Sequence, residues 1–233
     1  MNAVAQNLGE ILDRIASAAA RSGRSTGDVE LVAVSKTFPA QSVRDAWDAG
    51  QAVFGESRVQ EAVAKIPDLP GAIRWHFIGH LQKNKIRRAL PLFELFHGVD
   101  SLDLASDMDR IAAEEGAFPR VLLEVNVAGE ATKFGFQPEV IEREIDALLA
   151  LPRVQVEGLM TIAPYADDPE ASRPYFRALR ELRDRIEKQV GVPLPRLSMG
   201  MSGDFEVAIE EGATLVRVGS AIFGSRPKPA ENG

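Results

Sequence analysis

Eight short apolar runs, each followed by a turn and then an amphipathic stretch, recur along this chain and leave few ways to fold it. Leu31-Val32-Ala33-Val34-Ser35 is the first, followed by a helical pattern over 40–49; Ala52-Val53-Phe54-Gly55 is the second, leading into 59–66. Trp75-His76-Phe77-Ile78-Gly79 precedes a basic stretch over 82–89, and Leu95-Phe96-His97-Gly98-Val99 precedes a helix over 102–115. The run 121–127 leads to a helix over 138–150, and Val156-Glu157-Gly158-Leu159-Met160-Thr161 to the longest helix, over 169–190. Arg196-Leu197-Ser198-Met199, with a short helix through 206–210, and Leu215-Val216-Arg217-Val218-Gly219 complete the series. An opening helix over about 3–20 carries Val4, Leu8, Ile11, Leu12 and Ile15 on one face. Strands alternating with helices pair in parallel through right-handed crossovers. Eight such units in 233 residues select an α/β fold, a single (β/α)8 TIM-type barrel with an extra N-terminal helix. The alternative is an open sheet of six or seven strands with one run miscounted. No Pro-, Gly- or Ser-rich linker divides the chain, so one domain is expected over 1–233, with a short flexible tail over 227–233.

Composition narrows the chemistry. The net charge of −7 argues against a general nucleic-acid binder, whose footprint is basic. There are no cysteines, which removes disulfide frameworks, thiolate metal sites and cysteine nucleophiles. The first residues lack a basic start followed by an apolar run, and no segment approaches the roughly 18 uninterrupted apolar residues of a membrane span. A cytoplasmic location is the expectation.

In barrels of this type the working face lies at the C-terminal strand ends. Lys36 closes the first strand there. With strand parity turning it inward above Val32 and Val34, desolvation would lower its pKa and make it a usable amine for a carbonyl compound; an exposed strand-end lysine is the plainer alternative. The loops after the seventh and eighth strands carry Ser202-Gly203 and Gly219-Ser220, small residues with hydroxyls that suit a phosphate. Helix capping by Ser202 and a tight turn at Gly219 would explain the same residues without a ligand. Arg217, in register with Gly219, would also point inward and need an acceptor: a heteroaromatic nitrogen, or a carboxylate such as Glu124 or Glu157. Amine, phosphate cradle and inward arginine together fit an aldehyde-bearing phosphorylated aromatic, pyridoxal 5′-phosphate (PLP). A class I aldolase would share two of the three features.

The ordered series Val34-Ser35-Lys36-Thr37, Phe54-Gly55-Glu56, Val59-Gln60-Glu61, Trp75-His76-Phe77-Ile78-Gly79, Leu81-Gln82 and Asn84-Lys85 resembles the first half of the PLP homeostasis (YggS/PROSC-like) family. Gly158-Leu159-Met160, Leu197-Ser198-Met199-Gly200-Met201-Ser202, Asp204, Ala208-Ile209, Gly212 and Val216-Arg217-Val218-Gly219 through Ile222-Phe223-Gly224 resemble its second half. The resemblance implies a PLP-binding barrel similar to the alanine racemase N-terminal domain, with a Schiff base on Lys36. It implies cofactor-binding roles for Lys36, Ser57, Met199, Ser202, Gly203, Arg217, Gly219 and Ser220, with Arg217 facing the pyridine nitrogen. It further implies a part in intracellular PLP homeostasis as carrier, buffer or regulator, without evident catalysis, with apo PLP-dependent enzymes as recipients. Apart from the resemblance, a monomer is the expectation. The chain departs from the family in having Ser57-Arg58 where Asn-Tyr is usual, which puts a pocket hydrogen bond in doubt, and in having His80 where proline is common.

An amino-acid racemase or decarboxylase is the competing reading. Racemization needs a second base opposite the lysine, and the two tyrosines, Tyr165 and Tyr175, read as loop and helix packing residues. The basic run Lys83, Lys85, Arg87, Arg88 reads as a solvated helix face, with a docking surface as the alternative. Lys133 is a candidate for a second anion near the fifth strand's rim. His76, His80 and His97 read as satisfied strand-end histidines, and no metal is expected.

Overall fold

Each of the eight apolar runs is a strand in the computed structural model, which describes residues 2–130 and 132–224. They are β1 Glu30–Val34, β2 Val53–Glu56, β3 Arg74–Phe77, β4 Leu95–Val99, β5 Arg120–Glu124, β6 Gln155–Met160, β7 Arg196–Ser198 and β8 Leu215–Val218. They pair in sequence order as a closed parallel barrel, β8 returning to β1 with Val32 opposite Arg217 and Ala33 opposite Val218. The expected tail over 227–233 lies outside the described residues.

The helices are α1 Ala3–Arg21, α2 Ala40–Asp48, α3 Val59–Lys65, α4 Ile86–Ala89, α5 Leu102–Glu115, α6 Pro138–Leu149, α7 Arg173–Val190, α8 Phe205–Glu210 and α9 Ser220–Phe223. None is long and apolar enough to cross a membrane, among the described residues. The additional helix is α1, which lies against α8 and α9; Asn7 Nδ2 donates to the Ile222 carbonyl at 3.0 Å, and Arg24, just beyond it, donates to the carbonyls of Ile209 and Ala213 at 2.9 and 2.8 Å. Three places differ from the sequence pattern. The basic stretch over 82–89 is a 3-10 turn at Lys83–Lys85 followed by the single turn of α4, with no side-chain cap at either start. The long helix begins as a 3-10 turn at Pro169–Ser172, and α7 starts where Pro174 falls in its first turn, the place where a missing N–H costs nothing. Helix α9 is too short to leave a periodic signal.

Each strand is buried on both faces, as a parallel sheet covered by helices requires. Leu31, Ala33, Phe54, Phe77, Phe96, Leu123, Leu197, Met199, Val216 and Val218 belong to the core shared with the helices. A smaller cluster of Val32, Val53, Leu95, Leu122, Met160 and Leu215 fills the lumen. Below it, at the N-terminal end, six charges close the barrel floor in an alternating ring. Arg74 meets Glu30 at 2.6 Å and Glu94 at 2.7 Å; Arg120 meets Glu94 at 2.8 Å and also Glu157; Arg196 meets Glu157 at 2.8 Å and Glu30 at 3.4 Å. Hydrogen bonding to Arg74 holds the Glu94 carboxyl down at about 2. Glycine is required beside this ring at position 158, where an added β-carbon would lie 1.8 Å from the Arg196 carbonyl oxygen.

Candidate functional site at the barrel mouth

A cavity of about 490 Å³ opens at the C-terminal end of the barrel, where the polar strand ends collect. Val34, Phe38, Ile78, Ile162 and Met201 supply apolar walls; Lys36, Ser202, Gly203, Arg217, Gly219 and Ser220 supply polar groups, and Tyr165 stands at the edge. Strand parity places the first of these. Val32 lies in the lumen cluster and Val34 lines the cavity, so the strand delivers the half-buried Lys36 to the same side. The chain turns there, with Phe38 N–H donating to the Ser35 carbonyl at 3.1 Å. Thr37, at the third position of that turn, has φ 69° and is the one non-glycine residue with positive φ among the described residues. For a β-branched side chain this conformation costs on the order of 1–3 kcal/mol, so the surroundings hold it.

Opposite Lys36, the loops after β7 and β8 gather donors. Gly219 N–H donates to Ser202 Oγ at 3.3 Å, and Ser220 Oγ lies 3.3 Å from Ser202 Oγ. The loop after β7 is bent by Gly200, whose φ of 89° and tight fit against Ala208, 2.5 Å from an added β-carbon, admit only glycine. Asp204 pins the same loop. Its carboxylate accepts from Met201 N–H at 2.7 Å and from Ser172 Oγ at 3.0 Å, away from the three converging donors.

Arg217 forms part of the cavity wall and is buried, at 5% exposure. It donates to Ser198 Oγ and, at 2.9 Å, to the Thr161 carbonyl; no carboxylate among the described residues comes within ion-pairing distance. Burial pushes its guanidinium down to about 10, with Glu124 and Asp204 opposing from further away. Of the two carboxylates considered for it from sequence, Glu157 is committed to the floor ring, and Glu124 acts on it through space alone. Burial raises the Glu124 carboxyl, and nearby Asp100 raises it further.

Behind Arg217 runs a buried chain that sequence reading missed. Ser198 Oγ lies 2.8 Å from His97 Nδ1, and His97 Nε2 lies 3.1 Å from His76 Nδ1. Arginine only donates, so Ser198 accepts from Arg217 and links the guanidinium to the two imidazoles. The Nε2 of His76 is buried with no hydrogen-bond partner. Burial pushes His76 down to about 3 and His97 well below the ordinary histidine range, so both are neutral. These two histidines are therefore lumen residues, not strand-end ones. His80 alone is at the mouth, 2.8 Å from Asp100 and stacked on Phe134 with ring centroids 4.0 Å apart.

Two of the eight residues expected to bind a cofactor do not line this cavity. Met199 is fully buried in the helix-side core, because Ser198 faces the lumen and period two sends its neighbour outward. Ser57 lies on the rim between β2 and β3 against Gly79, where an added β-carbon would sit 2.5 Å from the Ser57 carbonyl oxygen. Tyr165, read from sequence as a packing residue, is 92% exposed at the cavity edge, with its hydroxyl donating to Asp167 at 3.0 Å. Tyr175 packs partly buried against the core.

The remaining candidates fall elsewhere. Lys133 lines a separate recess of about 220 Å³ with Glu124, and its ammonium pairs with Glu130 at 2.6 Å. In the basic run, Lys83 pairs with Asp103 and Asp107, and Arg87 with Glu114 and Glu115, so these cations dock the 3-10 turn and α4 onto α5. A more open groove of about 630 Å³ between α5 and α6 is lined by Asp100, Asp103 and Glu144 and by no lysine or arginine, which makes it unsuited to a phosphorylated ligand.

The sequence profile of the family described as "Alanine racemase, N-terminal domain" matches residues 7–227. The chain is 47% identical to the pyridoxal phosphate homeostasis protein of Aquifex aeolicus, over 97% of this chain and 99% of that one. It belongs to the pyridoxal phosphate homeostasis protein family. A solved member of similar sequence is PipY of Synechococcus elongatus with PLP bound, at 41% identity and TM-score 0.80, covering 92% of this chain and 100% of that one. The alanine racemase of Clostridium difficile shares the fold at TM-score 0.73 and 18% identity, covering 96% of this chain and 58% of the racemase.

Proposed function

We propose that the mouth cavity binds PLP, that Lys36 takes its aldehyde as a Schiff base, and that the protein serves PLP homeostasis as a carrier or buffer. The observation that carries this reading is the convergence of three unlike groups on one cavity: an amine, a cluster of hydroxyl and amide donors, and a buried guanidinium with only neutral acceptors. An unpaired buried cation is costly, so a site that keeps one is built to meet an acceptor. A pyridine nitrogen is such an acceptor, and a phosphate suits the donors at Ser202, Gly219 and Ser220. When bound, PLP supplies an electron sink conjugated to the amine of its partner. Here Arg217 disfavours protonation of the ring nitrogen and so weakens that sink, which suits holding the cofactor better than carbanion chemistry.

The family name of the relatives and the PLP bound in the Synechococcus protein support the ligand. A location in the cytoplasm, a single-domain monomer, and apo PLP-dependent enzymes as recipients complete the proposal. A racemase would need a second acid–base group preorganised across from Lys36. Tyr165 is at the edge, but its exposure and its bond to Asp167 leave it unsuited to that task.

Absorbance titration of the purified protein with PLP, beside Lys36→Ala, tests the ligand chemistry. The band of the lysine-bound cofactor is expected in the parent and absent in the variant. A variant that retains it removes Lys36 from the reading. Transfer of PLP to an apo-enzyme, faster with loaded protein than with the same free PLP concentration, tests the carrier role. Rapid exchange of an amino-acid α-proton with deuterated buffer would instead make the protein an enzyme.

A further inference from the structure

Lys36 stands at the corner of a turn that is gripped from behind. With Val34 and Lys36 facing the cavity, Ser35 faces the helices, where it is fully buried. Its hydroxyl donates to Glu56 Oε1 at 2.7 Å, and its carbonyl accepts from Lys65 Nζ at 2.9 Å. Lys65 Nζ also donates to the same Glu56 oxygen at 2.7 Å; the Glu56 side chain is 0% exposed and that of Lys65 10%. Four residues back on the same face of α3, Glu61 accepts from Thr37 N–H at 3.3 Å. The residues on both sides of Lys36 are thus tied to carboxylates and an ammonium, and the second of them is the strained Thr37.

This arrangement is expensive for a purely structural purpose. Glu56 Oε2 is buried with no hydrogen-bond partner, and burial pushes the Glu56 carboxyl up despite Lys65 and Ser35. Apolar side chains of similar size would close the space between β1, β2 and α3 at least as well. What they could not do is fix the Ser35 carbonyl and the Thr37 amide together, which sets the direction in which Lys36 leaves the backbone.

We propose that Glu56, Lys65 and Glu61 are positioning residues that act through Lys36, aiming its amine at a carbonyl held across the cavity by the loops after β7 and β8. The inference rests on the reading that Lys36 bonds the aldehyde of PLP. It predicts that the clamp governs bonding to the amine and leaves the grip on phosphate and ring untouched, because Arg217 lies on β8 and Ser202, Gly219 and Ser220 in the segments after β7 and β8.

Pyridoxine 5′-phosphate, which keeps the ring and phosphate and lacks the aldehyde, separates the two contributions. The double variant Glu56→Gln with Lys65→Met leaves no charge unpaired. It is expected to bind PLP roughly ten-fold or more weakly, since small misplacements of a reacting group carry losses of that order, with pyridoxine 5′-phosphate affinity held within about two-fold. The pH midpoint for forming the lysine-bound absorbance band is expected to shift with it. Glu61→Gln, near the surface and safe for folding, is expected to show the same selective loss at smaller size, and it carries the comparison should the double variant not fold. Equal weakening of both ligands, or unchanged PLP affinity in these folded variants, overturns the clamp. Failure of the underlying reading looks different: the parent protein would then bind PLP no better than pyridoxine 5′-phosphate, and Lys36→Ala would change neither.

Discussion

The two ends of the barrel handle their inward arginines in opposite ways. At the floor, Arg74, Arg120 and Arg196 each meet two carboxylates, and the ring closes on itself. At the mouth, Arg217 is more deeply buried and meets a hydroxyl and a carbonyl. A saturated ion-pair ring has no capacity left for a ligand and contributes to stability alone. A guanidinium held by neutral acceptors is a deficit the fold tolerates, which marks the end where something else is to bind. Both ends line one lumen, so pointing inward by itself does not separate structure from function; the charge balance around each cation does.

The largest effect is expected from removing the unbalanced cation. Arg217→Met should weaken PLP binding roughly 10–100-fold, the loss of a charged hydrogen bond of about 1.5–3 kcal/mol, while the ligand-free melting temperature stays level or rises. A melting temperature that falls along with affinity would make Arg217 another structural arginine and erase the contrast. Arg120→Met should do the reverse. It leaves Glu94 and Glu157 each short of a partner at a partly exposed site, for a loss of about 2 kcal/mol in denaturant unfolding with PLP affinity unchanged within about two-fold.

A smaller effect should appear with pH. His76 is held down at about 3 against an ordinary 6.5, so below that ordinary value the unfolded chain takes up a proton that the folded one refuses. Stability is complete above about pH 6.5 and declines as pH falls from there toward 3, by about 1.4 kcal/mol per pH unit for each such histidine. His76→Gln should flatten the curve of melting temperature against pH between 6.5 and 4.5; an unchanged slope would mean that His76 is protonated in place. The smallest effect is expected at Tyr165. Its exposure leaves Tyr165→Ala within about 0.5 kcal/mol of the parent in stability, and a large loss of PLP affinity there would revive an enzymatic role.

Much of the architecture was legible because parallel strands buried on both faces read as uninterrupted apolar runs, and eight of them are hard to arrange otherwise. Six of the eight cofactor-binding candidates line one cavity because strand parity and the C-terminal-face rule are both local arithmetic. Met199 falls outside the cavity because a motif names neighbours without saying which way each faces. The floor ring left a trace that went unread: Glu30, Arg74, Glu94, Arg120 and Arg196 each stand at or just before the first residue of a strand. The chain from Arg217 to His76 left none, since its members come from four strands and meet only when the barrel closes.

By itself, the sequence determined the alternation of strand and helix, the absence of thiol chemistry, and the presence of Lys36, Arg217 and the small hydroxyl residues at strand ends. The tertiary structure alone decided which charges cancel and which do not. Pairing depends on distances between side chains from different strands, and the stagger of the closed barrel sets those distances while the one-dimensional pattern is silent about them.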